Sequence, residues 1–274
     1  MLSVPESHAA ELRGCQLAQD ACSFEFLLFM IVLLTIVLWF LTIRRERPMD
    51  RKEEQQTSRY YSGSRARRYN RRWRAYTQKT LAVAMSMIDV AALQRVPEQL
   101  GRPARVLDVA CGTGLLLKHL LERVPGMEAY GIDASADMLA QAREALKDWP
   151  EVRLERVEIG GDGAAGLPYP PNTFDLVTCT NALHDMADPV ALLSGWGRLL
   201  APGGQLVVED FARRQPAWLW AVFELLMRWI EGRRVRAYTL VEARAFCVRA
   251  GLHIVCEQVF TIDWFWHGWA LRAG

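Results

Sequence analysis

The sequence has no CxxC pair and no cysteine–histidine cluster at metal-ligand spacing. Its six cysteines, Cys15, Cys22, Cys111, Cys179, Cys247 and Cys256, are scattered. That spacing gives no ground for a metal site, and the thiols read as reduced and mostly buried in a reducing compartment. Strong net charge is missing too: the total is +2 over 274 residues. From residue 65 on there is no internal repeat and no low-complexity run, which excludes a repeat architecture there. What is present is apolar mass. Half of the residues, 51%, are hydrophobic, enough for one α/β domain of about 200 residues plus an extension.

Residues 1–22 are polar and mixed and read as a poorly ordered terminal segment. Phe26 to Ile43 then carries no charge, and Trp39 stands near its end. At about 1.5 Å per residue such a stretch nearly matches a hydrocarbon core of roughly 30 Å. A signal peptide would want a positive start and a shorter apolar run. Here Glu6, Glu11, Asp20 and Glu25 precede it against Arg13, and Arg44 and Arg45 follow. The reading is a transmembrane helix over 23–43. The basic flank puts the following chain on the cytoplasmic side, as in a single-pass membrane protein.

Thirteen basic against four acidic side chains occupy 44–79. Basic residues interleaved with aromatics suit nucleic acid; next to a span they also suit anionic headgroups. The adjoining span favours lipid over nucleic acid, with 44–64 as a basic juxtamembrane linker. Tyr69, Trp73, Tyr76, Thr80, Val83 and Met87 recur at steps of four and three, one face of a helix.

Val106 to Gly114, VLDVACGTG, organises the rest. A β-branched run ends in a Gly-containing turn, and a helix-forming segment opens at Leu115. Gly112 lets backbone approach a ligand closely, and the helix start points free N–H groups at the same place. An acidic side chain about 20 residues on would hold a ribose, and Asp133 ends the next strand pattern. Leu117 stands where a dinucleotide fingerprint wants its third Gly. Strands are expected near 105–110, 128–133, 152–158, 174–180, 204–210, 252–260 and 264–272. Helices are expected near 114–123, 136–147, 188–200, 216–231 and 239–250. Such alternation predicts a parallel sheet covered on both faces, and the last two strands, with no helix between them, an antiparallel edge hairpin.

LDVACGTG, GIDAS, FDLVTCTNALH and LLAPGGQLVVEDF, in that order, resemble the class I S-adenosylmethionine-dependent methyltransferases over roughly 65–274, most of all the ubiquinone/menaquinone-methyltransferase-like branch. The resemblance implies a Rossmann-like class I methyltransferase fold: a mostly parallel seven-stranded sheet with an antiparallel C-terminal hairpin, here preceded by one transmembrane helix. It implies S-adenosylmethionine as cofactor. By it, Gly112 and Gly114 pack against the methionine part and ribose beside Ala110. Asp108 orders the loop, and Asp133 accepts from both ribose hydroxyls. Ala134 and Met138 pack on the adenine, and Asp162 with Gly163 meets its amino group. Asn181 passes close to the transferred methyl. The helix before the first strand lids the cofactor, bringing Tyr69 and Tyr76 to the pocket.

His184 is the candidate base, with Asp185 beside it, should the acceptor need to lose a proton. A purely structural histidine is the alternative. Pro216 to Ile230 is apolar and aromatic with a narrow polar stripe, too short to span. It reads either as a helix packed over the site, with Trp218 and Phe223 toward substrate, or as a membrane-dipping lid. The expectation is a tethered methyltransferase with a lipid- or quinone-like small-molecule acceptor. Alternatives are a tethered enzyme for a soluble metabolite or protein, and a non-catalytic cofactor-binding scaffold.

Overall fold

The structure, a computed structural model, describes residues 31–32, 51–159, 167–214, 217–232 and 235–274. Ile31 and Val32 are helical and exposed. The rest of the stretch read as a span lies outside the described residues, as do Asp162 and Gly163. Among the described residues no helix is long and apolar enough to cross a membrane.

The compact unit that carries the sheet runs from Pro48 to Gly274. Among the described residues of this unit, four helices precede the first strand: α1 (Arg51–Tyr60), α2 (Ser64–Arg72), α3 (Arg74–Met87) and α4 (Val90–Leu100). The alternating part follows as β1 (Arg105–Val109), α5 (Leu115–Arg123), β2 (Glu128–Asp133), α6 (Ala136–Ala145) and β3 (Arg153–Arg156). Then come β4 (Phe174–Thr180), α7 (Pro189–Leu199), β5 (Leu200–Phe211), α8 (Ala217–Glu231) and α9 (Leu240–Arg249). β6 (Ile254–Thr261) and β7 (His267–Ala273) close the chain.

The seven strands form one sheet in the order β3-β2-β1-β4-β5-β7-β6. β1 pairs in parallel with β2 and β4, and β4 with β5. β7 runs antiparallel to both β5 and β6, slotted between them. The reversal of strand order lies at β1 and β4, where open α/β sheets place ligands beyond the strand ends.

Alternate residues of the strands feed two cores. Leu107, Val177, Val208 and Leu271 join Trp196 on one face. Val106, Leu176, Val207 and Ala270 join Leu117, Leu120 and Leu139 on the other. Burial on both faces is why these strands read as continuous apolar runs. Leu117, in place of a third glycine, is fully buried. Gly131 on β2 makes the room for it: a Cβ at Gly131 would stand 3.0 Å from the Leu117 Cδ1.

Local chemistry sets the helix starts. Asp188 accepts from the N–H groups of Val190 and Ala191 ahead of Pro189, and Thr239 forms a capping box with Glu242; both are standard N-terminal devices. The face expected to run unbroken from Tyr69 to Met87 breaks at Trp73, which ends α2 and caps α3. The two halves are tied to different loops. Thr113 donates to Asn70 at 2.8 Å, and Asn181 donates to Thr80 at 3.0 Å. The segment read as a linker is helical over α1, inside the compact unit.

Candidate active site

The turn after β1 is built from left-handed backbone. Ala110, Gly112 and Gly114 have φ of 55°, 54° and 75°. Glycine adopts this freely; alanine does so at a cost, of the kind that concentrates at functional sites. Asn181, after β4, is another non-glycine residue held this way near the strand ends, with φ 52°.

Asp133 closes the turn from the other side. One carboxylate oxygen accepts the Gly112 N–H at 2.9 Å and the other the Ser135 N–H at 2.8 Å. Burial raises its pKa, and the two N–H groups offset only part of that rise. Each carboxylate oxygen has a second lone-pair direction, so capacity for two more donors remains. Ser135 then caps α6 by accepting the Met138 N–H.

Asp108 is buried one strand-step below. Its pKa is pushed up to about 7 by desolvation and by nearby Asp133, against a hydrogen bond from the Thr178 hydroxyl, at 2.7 Å. Near neutral pH this group is divided between acid and anion.

These residues edge a cavity of about 540 Å³, within the range of small-molecule sites. Asp108, Ala110, Gly112, Asp133, Ala134 and Met138 all line it, as do Tyr69, Asn181 and Asp185. A Cβ at Gly112 would approach no side chain but that of Met138, whose Cε lies 3.4 Å away. The backbone is therefore bare where a ligand would lie. Val157, Ile159 and Leu167 supply an apolar wall. A carboxylate with two spare acceptor positions, bare backbone and apolar walls fit a nucleoside with a diol sugar, as in S-adenosylmethionine.

Gly114 does not line the cavity. A Cβ there would fall 2.9 Å from Leu146 Cδ1 and 3.2 Å from Ala142 Cβ, so this glycine serves the packing of α5 on α6. Tyr76 is also off the cavity, edge-on to Trp73 and Trp266. Phe223 packs with Trp220 and Phe265 on the inner side of α8. Trp218 lies in α8, its side chain outside the described residues. Cys111 lines the cavity and Cys179 is buried in β4; burial pushes both thiols well up, which makes them weak nucleophiles.

Three cavity residues come from a segment read as linker: Thr57, Ser58 and Tyr61. Ser58 donates to the Ala134 carbonyl at 3.2 Å, and the Tyr61 carbonyl accepts from Ser135 Oγ at 2.6 Å. The Gly63 N–H reaches Asp137 at 2.7 Å. This strap lies across the turn that follows Asp133. The only sequence signal for it is the break SGS at Ser62–Ser64.

At the opposite end, His184 sits in a single 3₁₀ turn, Leu183–Asp185. It is buried and does not line the cavity. Its Nδ1 is 2.8 Å from Asp210 Oδ1, and its Nε2 is 3.4 Å from Asp185 Oδ2. Desolvation lowers its pKa, but the charges of Asp185 and Asp210 outweigh this and raise it to about 10. At neutral pH the ring is a held cation and has no free lone pair to take a proton. The cavity-facing member of the pair is Asp185, whose carboxylate also accepts the Tyr61 hydroxyl at 3.4 Å. Next to Asp210, Glu209 is fully buried with neither oxygen hydrogen-bonded. Burial and Asp210 push its pKa well up, against the opposing pull of His184. Sequence patterning missed it because EDF at a strand end looks like an ordinary polar edge. No group of side chains able to hold a metal occurs among the described residues.

A family model for a methyltransferase domain matches residues 107–206. Demethylmenaquinone methyltransferase of Thermus thermophilus is 42% identical over 109 residues, 40% of this chain and 48% of the relative. That of Deinococcus radiodurans is 41% identical over 124 residues, 45% of this chain and 49% of the relative. The chain thus spans about half the length of the curated relatives it matches. Among solved structures, magnesium protoporphyrin IX methyltransferase from Synechocystis PCC 6803, with bound SAH, superposes with a TM-score of 0.58 at 18% identity. That match covers 81% of this chain and 98% of the other. The seven-stranded sheet is the Rossmann-like class I methyltransferase fold, and residues 107–206 within it match the methyltransferase-domain model.

Proposed function

We propose that the chain is an S-adenosylmethionine-dependent methyltransferase, held at a membrane, whose acceptor is a lipophilic small molecule of lipid or quinone type. The observation that carries the cofactor assignment is Asp133, oriented by two backbone N–H groups at the rim of the 540 Å³ cavity. The acceptor class is supported by the relatives named for demethylmenaquinone and by the uncharged run Phe26–Ile43. That run, as a span, would keep the catalytic domain on the cytoplasmic side.

S-adenosylmethionine, when bound, supplies a methyl group on a sulfonium centre. Asp133 would grip the sugar hydroxyls, Gly112 would let the main chain lie against the ligand, and Met138 with Ala134 would cover the base. The chain's other task is alignment in a dry site. The strap at Thr57–Tyr61 excludes water from one side. Asp185 faces the acceptor space and holds a dissociable acceptor proton by hydrogen bond. His184, 3.4 Å away, orients Asp185. The base role expected of His184 passes to its neighbour.

Titration calorimetry with S-adenosylmethionine tests the first part: Asp133→Ala should weaken uptake at least 100-fold, and equal uptake would remove the assignment. Membrane extracts incubated with isotopically labelled methyl donor test the second. Label appearing only in water-soluble acceptors would sink the lipophilic reading.

A further inference from the structure

Helix α8 has two unlike faces. Its inner face packs Trp220 and Phe223 against Phe211, Phe265 and Trp266. Its outer face presents Val222, Leu225, Leu226, Trp229 and Ile230 to solvent, with Trp229 83% exposed. The spacing of three and four makes this one continuous stripe. Beyond the inner cluster Trp264 is 87% exposed, on the turn whose Phe265 stacks on Trp220. Exposed apolar area gathered this way marks a contact surface.

The acids beside the stripe are held by hydrogen bonds within the unit. Glu224 is turned aside to accept the Ala237 N–H at 3.2 Å, and Glu231 accepts the Tyr60 hydroxyl at 2.9 Å. Asp263 accepts the N–H groups of Phe265 and Trp266 within its own turn. Arginines border the same surface. Arg228 is exposed on the stripe, Arg214 reaches the carbonyls of Trp264 and Phe265, and Arg65 lies 4.4 Å over the Tyr60 ring. Tryptophan at the water–lipid boundary and arginine at headgroups are the two features of an interfacial helix.

We propose that the outer face of α8, together with Trp264, seats the catalytic unit on an anionic bilayer surface. This contact is additional to any N-terminal span. It deepens the membrane setting proposed above and rests on it. Only seven residues, 44–50, separate the run read as a span from α1, a reach of at most about 29 Å. A tether that short keeps the unit within reach of the surface.

The test places a photoreactive p-benzoylphenylalanine at Trp229, or at exposed Val248 on α9 as control, in the full chain in nanodiscs of phosphatidylcholine with or without phosphatidylglycerol. Lipid adducts are counted by mass spectrometry after illumination. The expected result is at least five times more adduct at 229 than at 248. With phosphatidylglycerol present, the double variant Arg214→Glu/Arg228→Glu should lower adduct at 229 severalfold, and without it should change little. Equal yields at the two positions would overturn the proposal, as would adducts at 229 that join two protein chains. Because the readout is lipid contact and not methyl transfer, a failure here is distinguishable from failure of the proposed activity.

Discussion

Asp210 holds His184 twice: one carboxylate oxygen lies 2.8 Å from the ring Nδ1 and the other accepts the His184 backbone N–H at 2.8 Å. With Asp185 on the far side of the ring, the imidazolium is enclosed by two carboxylates in a buried site. Removing one partner of a buried charge pair typically costs about 3–5 kcal/mol. His184→Gln is therefore expected to destabilise by that order in urea unfolding at pH 7. The pH dependence follows from a folded pKa raised from 6.5 to about 10. The pairing's contribution is complete below pH 6.5 and is lost as pH climbs through 10. Unfolding from pH 6 to 10 should show that decline in the parent and a smaller one in His184→Gln; parallel curves would contradict the held cation.

The sheet and the ligand turn were legible because their causes are local. A β-branched run, a glycine turn and an acid about 20 residues on all sit within one strand–helix–strand unit. The expected strands and helices from residue 105 onward match the observed ones to within a few residues, apart from an earlier start to β5. What was not legible depends on distant partners. Tyr61 meets Ser135 across 74 residues and Tyr60 meets Glu231 across 171, so no window of sequence could assign 57–61 to the cavity wall. His184 looked like a base because its neighbour Asp185 is adjacent in sequence. The decisive group, Asp210, comes 26 residues later. Gly112 and Gly114 looked alike, and only the arrival of α6 separates them.

That separation can be measured. Gly114→Ala meets Leu146 at 2.9 Å and Ala142 at 3.2 Å in left-handed backbone, so overpacking and strain add. A loss of about 2–4 kcal/mol in unfolding free energy is expected, while the folded fraction binds S-adenosylmethionine as the parent does. Gly112→Ala places its Cβ at an ordinary 3.4 Å from a flexible methionine end. It should cost only about 1–2 kcal/mol for the left-handed conformation, yet weaken cofactor binding because the methyl enters the cavity. Thermal unfolding and calorimetry on the two variants should give opposite orders of severity. The same order in both measurements would mean that both glycines serve one role.

Asp108 supplies a different pH signature. Its pKa is raised by burial to about 7 from an ordinary 3.8, so the folded state binds the extra proton between those two values. Stability from this group is complete below pH 3.8 and falls as pH rises toward 7, the same direction as for His184 but in a lower window. Beyond about pH 7 both states are ionised and the loss is complete. From pH 5.5 to 8.5 the linkage amounts to about 2 kcal/mol. Asp108→Asn cannot ionise, so its stability should fall by about 2 kcal/mol less than the parent's over that interval. The Thr178 hydroxyl can donate to the amide carbonyl of this variant as it does to the acid, which keeps the local geometry and isolates the charge. Guanidinium unfolding of both proteins at the two pH values provides the measurement. An equal fall in the two would show that Asp108 is ionised throughout, and that the buried carboxylate is compensated by a partner other than Thr178.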